Sequence, residues 1–208
     1  MGFSSQSTPM ISNPYKDLPE LILPIVQAWK NCQDCDLHKG KCNYVYYRGS
    51  APCDILFIGE APGHDEDLCG LPFVGRSGKV LETMISTIKT DYGLNFTYGI
   101  TNIVACIPLE NGKTRIPSKV EADACKFRLL TTIQQASPRH LCVLGKTAKK
   151  YLRIPARGME REHNLPVLEL QEPEKILRKG GYNSLEYRRN LLYLREVVET
   201  LHDRKETI

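Results

Sequence analysis

No apolar run in this 208-residue chain approaches the roughly 18–20 residues that a membrane-spanning helix needs. The opening stretch, Met1 to Asn13, is polar and serine-rich and lacks the basic-then-apolar order of a secretory leader. The chain is therefore expected to be intracellular and off the membrane. It reads as a short flexible tail over residues 1–18 followed by a single domain over 19–204, a length that can bury one sizeable core. There is no large excess of either charge: the net value of +4 permits contact with a polyanion without requiring it. Internal repeats and low-complexity segments are absent, as is a phosphate-binding loop. Gly145-Lys146-Thr147 and Gly78-Lys79 lack the glycine that must stand five residues earlier, where His140 and Phe73 occur.

Cysteine, by contrast, is abundant, with eight residues. In a reducing compartment a disulfide framework is not expected, so metal or cluster binding gains weight. Cys32-Gln33-Asp34-Cys35 forms a C-x2-C pair, a pattern that suits zinc, an iron–sulfur cluster or a redox dithiol. Cys106 is expected at the end of a strand and Cys125 inside the next helix. The four thiolates meet if the N-terminal helix packs beside that strand–helix junction, and spacing alone does not choose between zinc and a cluster. Cys142 lies in an apolar strand and reads as core, and Cys42 is the alternative ligand.

Hydrophobic periodicity predicts an α/β fold. Helices are expected over Pro19–Lys30, Ser77–Lys89, Lys146–Leu152 and from Asn183 or Ser184 onward. Val80, Leu81, Met84, Ile85 and Ile88 share one helical face, and Leu191, Leu194, Val198 and Leu201 another. Ser118 with Glu121 is a capping-box pattern that opens a helix to about Gln135. Strands are expected at Asp54–Ile58, Tyr98–Ala105, His140–Leu144 and Pro166–Leu170. This alternation implies three layers, with a mostly parallel four-stranded sheet flanked by helices. Arg153–Asn164 and Arg178–Tyr182 read as charged, glycine-containing loops.

The densest motif follows the first strand: Gly59-Glu60-Ala61-Pro62-Gly63-His64-Asp65-Glu66-Asp67, then Gly70-Leu71-Pro72-Phe73-Val74-Gly75-Arg76. A loop at the carboxyl end of a parallel strand is where open α/β sheets build a ligand crevice. Phe73 sits between glycines, which let a backbone approach a ligand closely. Its ring is either a core aromatic or a stacking surface for a nucleobase, the latter worth about 1–3 kcal/mol in single-strand binders. Asn102 stands in an otherwise apolar strand, either as a structural amide or as a paired donor and acceptor that can read a base edge. Glu60 either holds its own loop or positions substrate or water. Arg76 and Lys79 are placed to contact phosphates.

These letters resemble the family-4 uracil-DNA glycosylases, which carry an iron–sulfur cluster, and the resemblance runs over about residues 30–180. It implies a [4Fe-4S] cluster on Cys32, Cys35, Cys106 and Cys125. It further implies that a flipped uracil stacks on Phe73 and is read by Asn102, with Gly59, Ala61 and Gly63 lining the pocket. The expected activity is hydrolysis of the N-glycosidic bond in uracil-containing DNA by a monomer.

The second signature of that family, a His-Pro-Ser or His-Pro-Ala run followed by an aliphatic pair and Arg, reads here as Gln171-Glu172-Pro173-Glu174-Lys175-Ile176-Leu177-Arg178. Pro173, the aliphatic pair and Arg178 align with it, Arg178 as a DNA contact; Glu172 replaces the His. A donor at the departing base lowers the barrier by about 3–4 kcal/mol, whereas an ionised Glu172 would repel it. Donation at neutral pH needs the Glu172 pKa raised from about 4.3 to 7, a difference of about 3.7 kcal/mol, within what an apolar site supplies. Gln171 through its amide, or His163 folding in from the preceding loop, are the alternative donors, and spacing indicates neither. Glu60 and Glu172 are thus the candidate catalytic pair. The competing readings are a module that binds uracil-DNA without cutting it, and an unrelated zinc-binding α/β protein.

Overall fold

The computed structural model describes residues 13–152 and 165–206. His163 and the expected loop 153–164 lie outside the described residues, as does most of the expected tail. Of that tail, residues 13–18 are seen docked: the Tyr15 hydroxyl donates to the Tyr44 carbonyl at 2.7 Å, and its ring meets Tyr46.

The N-terminal helix is a 3-10 turn (Glu20–Ile22) running into α1 (Leu23–Trp29). Then follow β1 (Arg48–Gly49), β2 (Ile55–Gly59), α2 (His64–Cys69), α3 (Arg76–Thr90), β3 (Tyr98–Asn102), β4 (Leu109–Glu110), β5 (Lys113–Thr114) and α4 (Lys119–Ala136). The chain closes with β6 (His140–Leu144), α5 (Lys146–Leu152), β7 (Val167–Leu170), α6 (Pro173–Arg178) and α7 (Leu185–Glu206). No helix among the described residues is long and apolar enough to cross a membrane.

The central sheet has five strands in the order β1-β3-β2-β6-β7, not the four expected. The added strand, β1, is only two residues long and pairs antiparallel with β3 through Arg48 opposite Ile100 and Gly49 opposite Gly99. So short a strand shows no alternation to read. The other strands are mutually parallel. The hairpin β4–β5 was also unexpected, although its Asn111-Gly112 turn, with φ of 50° and 73°, is the strongest short-range hairpin signal there is.

Side chains of the buried strands divide between two cores. Leu56, Ile58, Leu141 and Val143 face α1 and α4 through Ile22, Ile25, Leu129 and Ile133. Ile55, Phe57, Cys142 and Leu144 face α3, α6 and α7 through Leu81, Met84, Ile176, Leu194 and Val198. A period of two in the strands thus feeds both faces, giving the three layers. Cys142 is core, as expected.

Ser118 caps α4 as its spelling implies: its Oγ accepts from the Glu121 N–H, and Glu121 accepts from the Ser118 N–H at 2.7 Å. Glu121 also takes two hydrogen bonds from Arg115, at 2.6 and 2.8 Å, which pin the hairpin to α4. Those Arg115 bonds hold the Glu121 carboxyl at about 2, below the usual carboxylate range. A folded-state value below the unfolded one contributes stability that is present above the unfolded pKa and lost as pH falls. The urea midpoint of the wild type is therefore expected to fall from about pH 5 toward pH 2 more steeply than that of Glu121→Gln. Parallel slopes would remove Glu121 from this account.

Candidate functional site

Because β3, β2, β6 and β7 are parallel, their carboxyl ends open on one side, and a cleft of about 460 Å³ lies there. Strand β2 has β3 on one side and β6 on the other, so the cleft sits where the sheet order reverses, the expected ligand position in such sheets. Each parallel strand delivers one polar group to it. Glu60 follows β2, Asn102 ends β3, Thr147 lies in the first turn after β6, and Glu172 follows β7.

Phe73 and Asn102 come together across Gly59. In register Gly59 pairs with Asn102, and a Cβ at Gly59 would overlap both the Asn102 carboxamide and the Phe73 ring. The missing side chain at Gly59 is thus the space in which ring and amide meet. Asn102 is 1% exposed, and neither its Nδ2 nor its Oδ1 has a hydrogen-bond partner among the described residues. Buried amides are almost always paired, and an unpaired group costs about 1–3 kcal/mol. A donor and an acceptor are therefore held unsatisfied at the wall of a cleft, beside an aromatic face.

The turn that presents Phe73 is strained and held from three directions. Phe73 has φ of 55°, the left-handed region that a bulky residue seldom adopts. Arg48 fastens it, Nε donating to the Pro72 carbonyl at 3.0 Å and Nη2 to the Phe73 carbonyl at 3.1 Å, while Nη1 pairs with Glu82 at 2.5 Å. Glu66 ties the two halves of the motif loop by accepting from the Gly63 N–H at 3.1 Å and the Gly75 N–H at 2.8 Å. Below the turn, a Cβ at Gly78 of α3 would overlap the Phe73 backbone carbonyl. Gly78→Ala is therefore expected to weaken ligand binding at least tenfold and to lower Tm, since backbone rather than a flexible tip must move. Unchanged affinity in the folded variant would show that the turn is not set from α3.

Glu60 and Glu172 both reach the cleft. Burial pushes the Glu60 carboxyl up, a hydrogen bond from Thr147 works against this, and the charge of Glu172 adds to the rise. Burial likewise raises Glu172, with Glu174 adding to it and Arg178 and Lys175 opposing. Burial thus favours the neutral form of both carboxyls, and the Thr147 hydrogen bond favours the charged form of Glu60 alone. Glu172 packs on Gly145, whose φ of 95° turns the chain from β6 into α5.

Gly59, Ala61, Gly63 and Arg178 line the cleft. Arg76 and Lys79 are exposed in the first turn of α3, beside Ser77, which does line it; they stand outside it. Gln171 is also outside: its backbone is clasped by Asn190, whose Nδ2 donates at 2.8 Å and whose Oδ1 accepts at 2.9 Å. Sequence reading missed Arg48, Thr147 and the hairpin residues Thr114, Arg115 and Ile116 that form one wall. The Asn-Gly turn was a signal for the hairpin; nothing local marks Arg48.

On the opposite helical layer, Cys32, Cys35, Cys106 and Cys125 line one small, largely apolar cavity, bordered by Trp29, Tyr44 and Arg128. Burial, then the neighbouring Cys125 and Cys35, push the Cys106 thiol up to about 12; burial also raises Cys32 and Cys35. No three metal-ligating side chains among the described residues converge tightly enough to hold a single ion. Cys42, exposed, stands apart from the four.

A family model described as the uracil DNA glycosylase superfamily matches residues 47–200. A Type-4 uracil-DNA glycosylase of Archaeoglobus fulgidus is 40% identical over 129 residues, 62% of this chain and 61% of that protein. Its namesake from Pyrobaculum aerophilum is 37% identical over 133 residues, 64% of this chain and 65% of that protein. The Thermotoga maritima protein of the same name is 35% identical over 134 residues, 64% and 66% of the two chains. The matches thus span less than two thirds of the length of these relatives. The crystal structure of wild-type Pedobacter heparinus SMUG2 aligns with a TM-score of 0.46 at 15% identity, over 99% of this chain and 94% of that one. With its family model spanning the sheet, the cleft and most of α7, the chain belongs to the uracil DNA glycosylase superfamily.

Proposed function

We propose that this protein binds uracil-containing DNA, takes the uracil out of the stack and hydrolyses its N-glycosidic bond. The observation that carries this reading is the buried Asn102 carboxamide, unpaired and set against the Phe73 ring in the cleft. An amide presents N–H and C=O side by side, which complements the O4 and N3–H edge of uracil and mismatches cytosine. Phe73 stacks on the extruded base, and Arg76, Lys79 and Arg178 hold phosphates while a few kcal/mol of unstacking is met.

In the reaction, water adds its oxygen to the sugar C1′ as the bond from C1′ to the base nitrogen breaks. Both bonding electrons leave with uracil. Glu60 as carboxylate orients the water and accepts its proton, and Thr147 favours that charged form. Glu172 as neutral acid donates to an oxygen of the departing base, where negative charge grows. The replacement of His by Glu172 favours one second reading, a module that holds uracil without releasing it.

Cys32, Cys35, Cys106 and Cys125 would hold the [4Fe-4S] cluster, and the fit rests on their shared cavity. Four thiols spaced around a cavity suit a body larger than one ion. When bound, the cluster supplies metal–thiolate links that tie the segment after α1 to the β3–α4 connection. Broad visible absorbance in anaerobically purified protein, lost on chelation, is expected; a colourless zinc-loaded protein would overturn the cluster assignment.

Uracil-containing single- and double-stranded oligonucleotides, treated with excess protein and then alkali, test the activity. Strand cleavage at the uracil position is expected. Intact strands with retained uracil-selective binding would leave the binding module, and equal affinity for uracil and thymine strands would remove both readings.

A further inference from the structure

Arg128 is the largest fully buried side chain among the described residues, 1% exposed in the middle of α4. Its guanidinium spans the two sites. Nε donates to the Cys125 sulfur at 3.3 Å, on the cysteine cavity. Nη2 donates to the Asn102 carbonyl at 2.7 Å and the Ile103 carbonyl at 2.9 Å, and Nη1 to the Thr101 hydroxyl at 3.2 Å. One rigid planar group therefore grips both a cysteine of the proposed cluster and the strand end that carries the base-reading amide.

The charge balance makes the link more than packing. An arginine stays charged in any protein interior, and a buried charge is costly unless an opposite charge or full hydrogen bonding answers it. Arg128 forms no ion pair with a carboxylate among the described residues; its oxygen partners are neutral. Cys125 is its one partner on the cysteine cavity, so a group bound there would fix that sulfur and, through the Nε contact, the guanidinium. Without such a group the Cys125 end of the link is free to shift, and with it the grip on Thr101, Asn102 and Ile103.

We propose that Arg128 is a positioning residue shared by the two sites, and that through it the state of the cysteine cluster sets how well Asn102 reads the base. The inference rests on the proposed uracil recognition and cluster assignment. The backbone bonds from Ile103 N–H to the Gly59 carbonyl at 2.9 Å and from Val104 N–H to the Glu60 carbonyl at 3.3 Å fix the strand end to β2. Arg128 fixes it from the α4 side, so losing that grip lets the amide shift without unfolding the strand.

The test measures affinity for short single strands bearing one 2′-fluoro-deoxyuridine, which resists cleavage, or the matching 2′-fluoro-deoxycytidine, whose base edge mismatches the amide. It compares wild type, Arg128→Gln and Arg128→Lys, each loaded as judged by visible absorbance, and wild type stripped by chelator. The uracil-to-cytosine affinity ratio is expected to fall about fivefold or more in loaded Arg128→Gln and in stripped wild type, the low end of typical site-to-site coupling. Arg128→Lys keeps the charge but has one ammonium in place of a fork, so it is expected to retain the cluster and still lose selectivity. It carries the test if the Gln variant fails to fold. A purely structural arginine would lower Tm and leave the ratio alone, so a wild-type ratio in either loaded variant, or in stripped wild type, overturns the proposal. If loaded wild type itself shows no preference for uracil, the recognition reading falls and this inference falls with it.

Discussion

Glu172→Ala is expected to slow uracil release by about 100- to 1,000-fold, the usual cost of one transition-state donor. Glu172→Gln is expected to stay within a few-fold of wild type near neutral pH. The difference follows from the neutral form that the proposed mechanism assigns to Glu172. Burial raises the Glu172 carboxyl, and Glu174 adds to the rise. Burial raises Glu60 as well, and the charge of Glu172 opposes ionisation of Glu60. Burial thus works against ionisation of both carboxyls.

In the proposed mechanism Glu172 is the neutral acid and Glu60 the carboxylate, whose charged form the Thr147 hydrogen bond favours. The wild-type rate should therefore rise with pH as Glu60 ionises and fall as Glu172 ionises. Gln donates at every pH, so Glu172→Gln should abolish the alkaline fall. Glu60→Gln should remove the acidic rise and most of the rate. The reverse pattern, with Gln tolerated at 60 and fatal at 172, would exchange the two roles. An Ala variant as fast as wild type would take Glu172 out of the chemistry.

Asn102→Ala is expected to separate stability from recognition. In most buried positions, loss of an amide removes hydrogen bonds and lowers Tm. Here both amide atoms are unpaired, so truncation removes an unmet desolvation cost of about 1–3 kcal/mol, which offsets the lost packing. Tm should hold or rise. Affinity for uracil-containing strands should fall about 5- to 150-fold, the worth of a two-point contact to a base edge, with little change for strands carrying cytosine in its place. A fall in Tm with unchanged uracil selectivity would make Asn102 a structural amide.

Much of this molecule was readable from local order. The face Val80, Leu81, Met84, Ile85 and Ile88 is the buried stripe of α3, and Ser118 with Glu121 opens α4. Strand β6 and helix α5 have the expected limits. These features depend on neighbours within one or two turns, where side-chain period and capping chemistry act directly. The strand expected to reach Ala105 stops at Asn102 because the chain there turns into the cysteine cavity. Helices α2 and α6 have six residues each, too short to show a helical period.

The sequence by itself singled out the candidate residues: the motif from Gly59 to Gly75, the amide, the two carboxyls and the four cysteines. What it left open was their relation in space. Glu60 and Glu172 share a cleft because β2, β6 and β7 lie side by side and parallel, an order that contacts between distant segments decide. Arg48 holds the Phe73 turn across the edge of the sheet. Arg128, unremarkable in its own helix, joins the cysteine cavity to Asn102. Local propensity is set by bonds a few residues apart, whereas a donor's partner in the core is set by which layers pack, and only the tertiary structure fixes that.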